Sequence, residues 1–202
     1  MKFLKVFLFI YLIFLSNNLL AENDAKSWLK KEIDIILAAY QNENLPNENR
    51  FLMIEQTINN NFAGAGIAKF VAGKAWSNAN KEVKKRYISL FKRHLALNIA
   101  SMMQGYSSQT YELKNSKYIE KNKVSLIDME IISDTNTILV TWRVKKSKDR
   151  FFVIDLVIAD ISLVETKRSE FNSMLKNVDY SLDEFNVLLE NQNNLSYLKI
   201  IK

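Results

Sequence analysis

The stretch Phe151–Phe171, FFVIDLVIADISLVETKRSEF, reads as a strand, a corner and a capped helix. Phe152, Ile154, Leu156 and Ile158 alternate onto one face of an extended segment, and Phe151, Val153 and Val157 onto the other, interrupted by Asp155. A strand apolar on both faces predicts cover on both. Ser162 and Glu165 have the Ser-x-x-Glu spacing of a capping box, so a helix is expected over 162–177. Asp155 and Asp160 flank the strand, and each reads as an ordinary strand-end carboxylate.

Upstream of this stretch the apolar period is also two. Segments 111–116, 124–133 and 138–146 read as strands, and with 151–158 they make four. The links 134–137 and 147–150 are short, so neighbouring strands are expected to be antiparallel. Ile127, Met129 and Ile131 share a face; Ile138, Val140, Trp142 and Val144 share another, opposed by Thr141, Arg143 and Lys145. Downstream, Ser181 and Glu184 repeat the capping-box spacing and open a last helix burying Leu182, Phe185, Leu188 and Leu189.

Before residue 111 the period is 3.6. Helices are expected over 24–40, 48–59 and 65–72, the third ending at Gly73, with Trp76 following and a long helix from about 80 to 103. In the long helix Val83, Tyr87, Leu90 and Leu97 form one stripe, and Ile88, Phe91, Leu95, Ile99 and Met102 a neighbouring one. Such a broad apolar sector suits a helix that lies centrally, or that walls a cavity as well as a core. Lys81, Lys85, Lys92 and Arg93 fall on its outer side. The pattern is α+β: N-terminal helices, a curved antiparallel meander of four or slightly more strands, then closing helices around an apolar cavity.

The amino terminus reads as a secretory signal over residues 1–21. Lys2 and Lys5 precede an unbroken apolar run, Val6–Leu15, and Ala21 can sit before a cleavage point. Ten residues are too short to cross a hydrocarbon core, which takes about 20. Residues 22–202 are then one domain, exported to the periplasm. The 202-residue chain holds no cysteine, so its stability is expected to come from packing without disulfides. Its net charge of +6 would fall to +4 on loss of the two signal lysines.

Several chemistries lack their residues. His94, the sole histidine, lies within the apolar sector of the long helix and reads as a core histidine. With no cysteine and scattered carboxylates, no zinc set is apparent and no cofactor is expected. There is no Gly-x-Ser-x-Gly elbow, phosphate-binding loop or His-Glu-x-x-His motif. Gly64-Ala65-Gly66 has no strand before it and reads as a turn. The basic clusters 81–86, 92–93 and 145–150 lack interleaved aromatics, so nucleic acid is not an expected partner.

Val153, Asp155, Leu156, Ile158, Ile161, Ser162, Leu163, Val164, Thr166, Arg168 and Phe171 match the wording "V-x-D-V-x-[IV]-x-x-[IV]-S-L-V-x-T-x-R-x-x-F". That wording resembles the MlaC, or toluene-tolerance, family of periplasmic phospholipid-binding proteins. Gly66–Trp76 is similar to the family's "M-A-R-x-x-L-G-x-x-W", and Glu82–Leu95 to its "Q-x-x-x-F-x-x-x-F-x-x-x-L" helix. Ala63 and Lys69 depart from the Asp and Arg usual in the family.

The resemblance implies a non-enzymatic, monomeric carrier holding one phospholipid with its acyl chains inside. It implies exchange with the MCE-domain subunit of an inner-membrane ABC transporter and with an outer-membrane lipoprotein complex, maintaining outer-membrane lipid asymmetry. Candidate cavity residues are Ile67 and Phe70, then Phe91 and Leu95 on the long helix. The strands add Val140, Trp142, Val144, Ile154 and Leu156, and the following helix adds Phe171. Lys81, Lys85, Lys92, Arg93 and Arg168 are candidates for headgroup or partner contact. An elongated apolar hollow above about 600 Å³ would suit such a ligand. A small periplasmic isomerase or hydrolase would instead need an inward acid with a polar partner. A ligand-free adaptor would show a filled core and a large exposed apolar patch.

Overall fold

The computed structural model of the chain describes residues 24–106 and 109–202; the expected signal segment lies outside them. Residues 24–41 are helical (α1), followed by α2 (Asn47–Asn61), α3 (Gly64–Ala72), α4 (Lys74–Asn78) and the long α5 (Lys81–Met103). The strands are β1 (Thr110–Ile119), β2 (Val124–Ile132), β3 (Thr137–Ser147), β4 (Arg150–Ile158) and β5 (Ile161–Ser162), and α6 (Leu163–Lys176) and α7 (Leu182–Ile200) close the chain. The sheet runs β1-β2-β3-β4-β5 and every adjacent pair is antiparallel. The helix–meander–helix order read from the sequence is therefore the order found. The short β5 adds a fifth strand, two residues being too few to show a period.

The helix ends carry their sequence signals. Asn80 caps α5 by accepting from Val83 N at 2.9 Å, Ser162 caps α6 from Glu165 N at 3.1 Å and Ser181 caps α7 from Glu184 N at 3.4 Å. Gly73, at φ +54°, turns the chain between α3 and the single turn of α4, a conformation that costs a residue with a Cβ.

The strand Arg150–Ile158 departs from simple alternation. Val144 pairs with Val153 and Arg143 with Asp155, so Ile154 is the extra residue of a bulge. One inserted residue exchanges the faces on either side of it. Phe151 and Val153 consequently share a face with Leu156 and Ile158, not with Val157. The register joins them to Val140, Trp142 and Val144 of β3 and to Ile127, Met129 and Ile131 of β2. The two apolar faces expected of this strand become one apolar face and a second holding Phe152, Asp155 and Val157.

The core cluster spans that face and the helices above it. Leu29 and Ile33 of α1, Phe51, Ile54 and Ile58 of α2, and Tyr87, Leu90 and Leu97 of α5 are all buried. On α7, Leu182, Phe185 and Leu189 are buried as expected, but Leu188 is 43% exposed. Its place in the interface is taken by Asn186 and Asn193, both buried. A Leu-Leu pair cannot place both members inward on a helix, since consecutive residues lie about 100° apart.

Candidate functional site

The two stripes of α5 have different fates. Val83, Tyr87 and Leu90 face α7, where Asn186 Nδ2 donates to Val83 O at 3.1 Å and Asn193 Nδ2 donates to Leu90 O at 2.9 Å. The second stripe grades from Phe91 and Leu95, buried, through half-buried Ile88 and Ile99 to Met102, which is 52% exposed. Its covering is incomplete.

Of the ten cavity candidates, Ile67, Phe91, Leu95, Val140, Val144, Leu156 and Phe171 are buried members of one cluster, with Trp142 half-buried against it. Ile154, the bulged residue, is half-buried, and Phe70 is 39% exposed with the Arg168 guanidinium 4.2 Å from its ring centre. Phe91 and Phe171 are ring neighbours at 5.9 Å, and Phe171 also meets Phe185 at 5.0 Å. These rings join α5, α6 and α7 into one helical layer. Trp142, Val140, Val144 and Leu156 lie on the facing sheet.

Polar ties between sheet and helices run chiefly along β4. Ala63 N donates to Val153 O at 2.9 Å and Arg150 Nη2 to Asn60 O at 2.9 Å. Asp155, 5% exposed, is the densest tie: it accepts from Arg143 Nη1 at 3.0 Å, Ser162 Oγ at 2.6 Å and Val164 N at 3.1 Å. One carboxylate thus joins β3, β4 and the first turn of α6, where the helix dipole favours negative charge. A role as catalytic acid does not fit, since both oxygens are committed. The β1 edge is tied to α1 by Lys26 Nζ donating to Lys114 O at 2.6 Å and by Tyr111 Oη donating to Asp34. Lys30 and Tyr111 together hold the Asp34 carboxyl below its usual range.

The basic candidates are dispersed. Lys81 and Lys85 are exposed on the first turns of α5. Lys92 lies over Gly64, where its side chain fills the space a Cβ would take. Arg93, expected on the outer side, is drawn inward: it donates to Glu55 Oε1 at 2.7 Å and covers the Phe51 and Tyr197 rings. It joins α2, α5 and α7 and is not free to meet a headgroup.

Hollows of about 470 and 390 Å³ occur along α1. The larger is lined by Ser27, Lys30, Asp34 and Ile35, and the smaller by Lys26, Tyr111, Glu112 and Leu113. Both are open grooves, and neither is lined by any of the ten candidates.

The family model for the MlaC protein matches residues 30–190. The chain belongs to the MlaC family. A solved structure of a phospholipid-binding protein from Ralstonia solanacearum, in complex with a phospholipid, superposes on this MlaC-family chain with a TM-score of 0.73. The match covers 86% of this chain and 98% of that one at 18% identity, and it shows a shared fold. No curated protein matches this MlaC-family sequence.

Sequence reasoning missed the asparagines of α7 and the role of Asp155. Asn186 and Asn193 are seven residues apart, as are Val83 and Leu90, whose carbonyls they meet, and that heptad spacing was a readable signal. Asp155, Ser162 and Val164 all stand in the 151–171 wording, but their bonding to one another and to Arg143 is not visible in it.

Proposed function

We propose that this chain is a non-enzymatic periplasmic carrier that binds one phospholipid and passes it between inner- and outer-membrane complexes. Family membership over residues 30–190 carries the reading. The shared fold with a protein named for phospholipid binding supports it. So do an apolar sheet face and a stripe of α5 that is covered only in part.

Two acyl chains carry about 28 CH₂ groups, each costing about 0.8 kcal/mol in water, or roughly 20 kcal/mol in all. A carrier has only to replace that shielding. The acyl space in this reading lies between the sheet, at Val140, Trp142, Val144 and Leu156, and α5, at Leu95, Ile88 and Ile99. The sheet is fastened most heavily along β4, so room for the chains comes from parting β2 and β3 from the helices. The headgroup then stays at the rim, with Arg168 and Phe70 on the exposed α3–α6 surface as candidate contacts.

Mass spectrometry of lipid extracted from protein made and exported in a Gram-negative host tests the reading. One phospholipid per chain is the expected result. Repeated recovery of lipid-free protein that also takes up none from vesicles would overturn it.

A further inference from the structure

The register of the sheet gathers most of the molecule's net positive charge at one end. At this end Lys117 stands near the close of β1 with Lys121 and Lys123 in the β1–β2 turn, and Lys145 and Lys146 stand at the close of β3 with Lys148 in the β3–β4 turn and Arg150 opening β4. Val124 pairs with Lys145, so the two turns project side by side from neighbouring strands, about 5 Å apart. Segments 117–123 and 145–150 hold seven cations and two acids, Glu120 and Asp149, a net of +5 against +6 for the whole chain. All seven cations are exposed, and among the described residues none is in an ion pair.

Other features agree. Lys123 and Lys148, one in each turn, sit at φ +52° and +53°, a conformation that suits glycine or asparagine and crowds a lysine Cβ. Six of the seven cations are lysines, at the ends of the strands and in the turns that join them. Lysine is a strongly hydrated point charge without the planar fork that selects a carboxylate on a protein partner. Such an array suits a broad, smooth field of negative charge. Beneath it Lys146 and Arg150 lie over the Phe151 and Phe152 rings at 5.3 and 5.1 Å, so apolar surface backs the charge.

We infer that the paired β1–β2 and β3–β4 turns are a docking surface for an anionic phospholipid bilayer, holding the chain by its sheet end against the headgroups. The contact is electrostatic and superficial, and no described helix is long and apolar enough to cross the membrane. It is separate from any carried lipid: a chain that carries none could still dock, and one that carries lipid need not.

The test is co-sedimentation with vesicles of phosphatidylcholine containing 30% phosphatidylglycerol, against pure phosphatidylcholine, in about 50 and 300 mM salt. Binding is expected to the anionic vesicles only, and to fall about tenfold at the higher salt as the Debye length shortens from about 14 to about 6 Å. Lys121→Glu with Lys148→Glu should lower the affinity about tenfold or more, since each juxtamembrane lysine contributes measurably to attraction by an anionic surface. The control, Lys199→Glu with Lys202→Glu, changes net charge equally at the C-terminal end of α7 and should lose little. Equal binding to both vesicle types, no binding at low salt, or equal loss in the two variants would overturn the inference. Circular dichroism of both variants confirms that each is folded.

Discussion

Asp155 and His94 are both buried, yet one is fully used and the other is not. Truncating Asp155 strands the Ser162 hydroxyl and the Val164 amide at the start of α6, while Arg143, 45% exposed, can turn to water. Asp155→Ala should therefore cost about 2–4 kcal/mol in urea unfolding. Arg143→Ala should cost under about 1 kcal/mol. Equal costs would show that the ion pair, not the helix cap, gives Asp155 its value. For His94 the network sets the tautomer. Asn193 spends its amide on Leu90 O, so its oxygen must accept, and His94 Nδ1–H donates to it at 3.1 Å. Nε2 is buried without a partner. Burial first, and the nearby Lys167 second, lower the His94 pKa from 6.5 to about 4. A histidine that resists protonation when folded takes up its proton more readily when unfolded. Stability is whole above about pH 6.5 and should fall as pH drops toward 4 by roughly 3 kcal/mol. His94→Gln should flatten that part of the curve relative to the parent; parallel curves would contradict the assignment.

At the scale of elements, α5 and α7 are held in register by two asparagines spaced seven apart, each donating to a carbonyl on the facing helix. A buried amide that bonds at only one position penalises slippage of the pair, whereas leucines would tolerate a shift of one turn. Asn193→Ala should cost about 1–3 kcal/mol. The cycle with His94→Ala should give a coupling of about 0.5–2 kcal/mol because the two share a hydrogen bond. Additive losses would mean that the amide acts only through Leu90 O. The bulge at Ile154 is the sheet's comparable device. It places Trp142, Val153 and Leu156 on one surface and turns Asp155 toward α6.

For the whole molecule the question is where the sheet parts from the helices. Trp142 lies mid-sheet on the apolar face, half-buried, its indole N–H buried and unpartnered. With Trp28 and Trp76 replaced by phenylalanine, it is the single emitter among the three tryptophans of the chain. Lipid with brominated acyl chains should quench its emission by more than half if the chains lie between sheet and α5. Unquenched emission with bound lipid would move the site elsewhere, the grooves along α1 being the next place to look.

The order of the longer elements, their boundaries to within a few residues and the helix caps at Ser162 and Ser181 were legible along the chain, whereas the short α4 and β5 and the Asn80 cap were not. The legible features depend on periodicity and on contacts three or four residues apart, which a linear string records. The α+β class followed, and the wording of residues 151–171 pointed to the family. Which face of the last long strand turns inward was not legible: a one-residue bulge reverses the alternation, and it is fixed by pairing with β3. Nor were the inward turn of Arg93, the three-way bonding of Asp155 or the gathering of two lysine-rich turns at one end. Each joins residues separated by more than a helical turn or a strand period, and only packing brings them within bonding or Debye distance of one another.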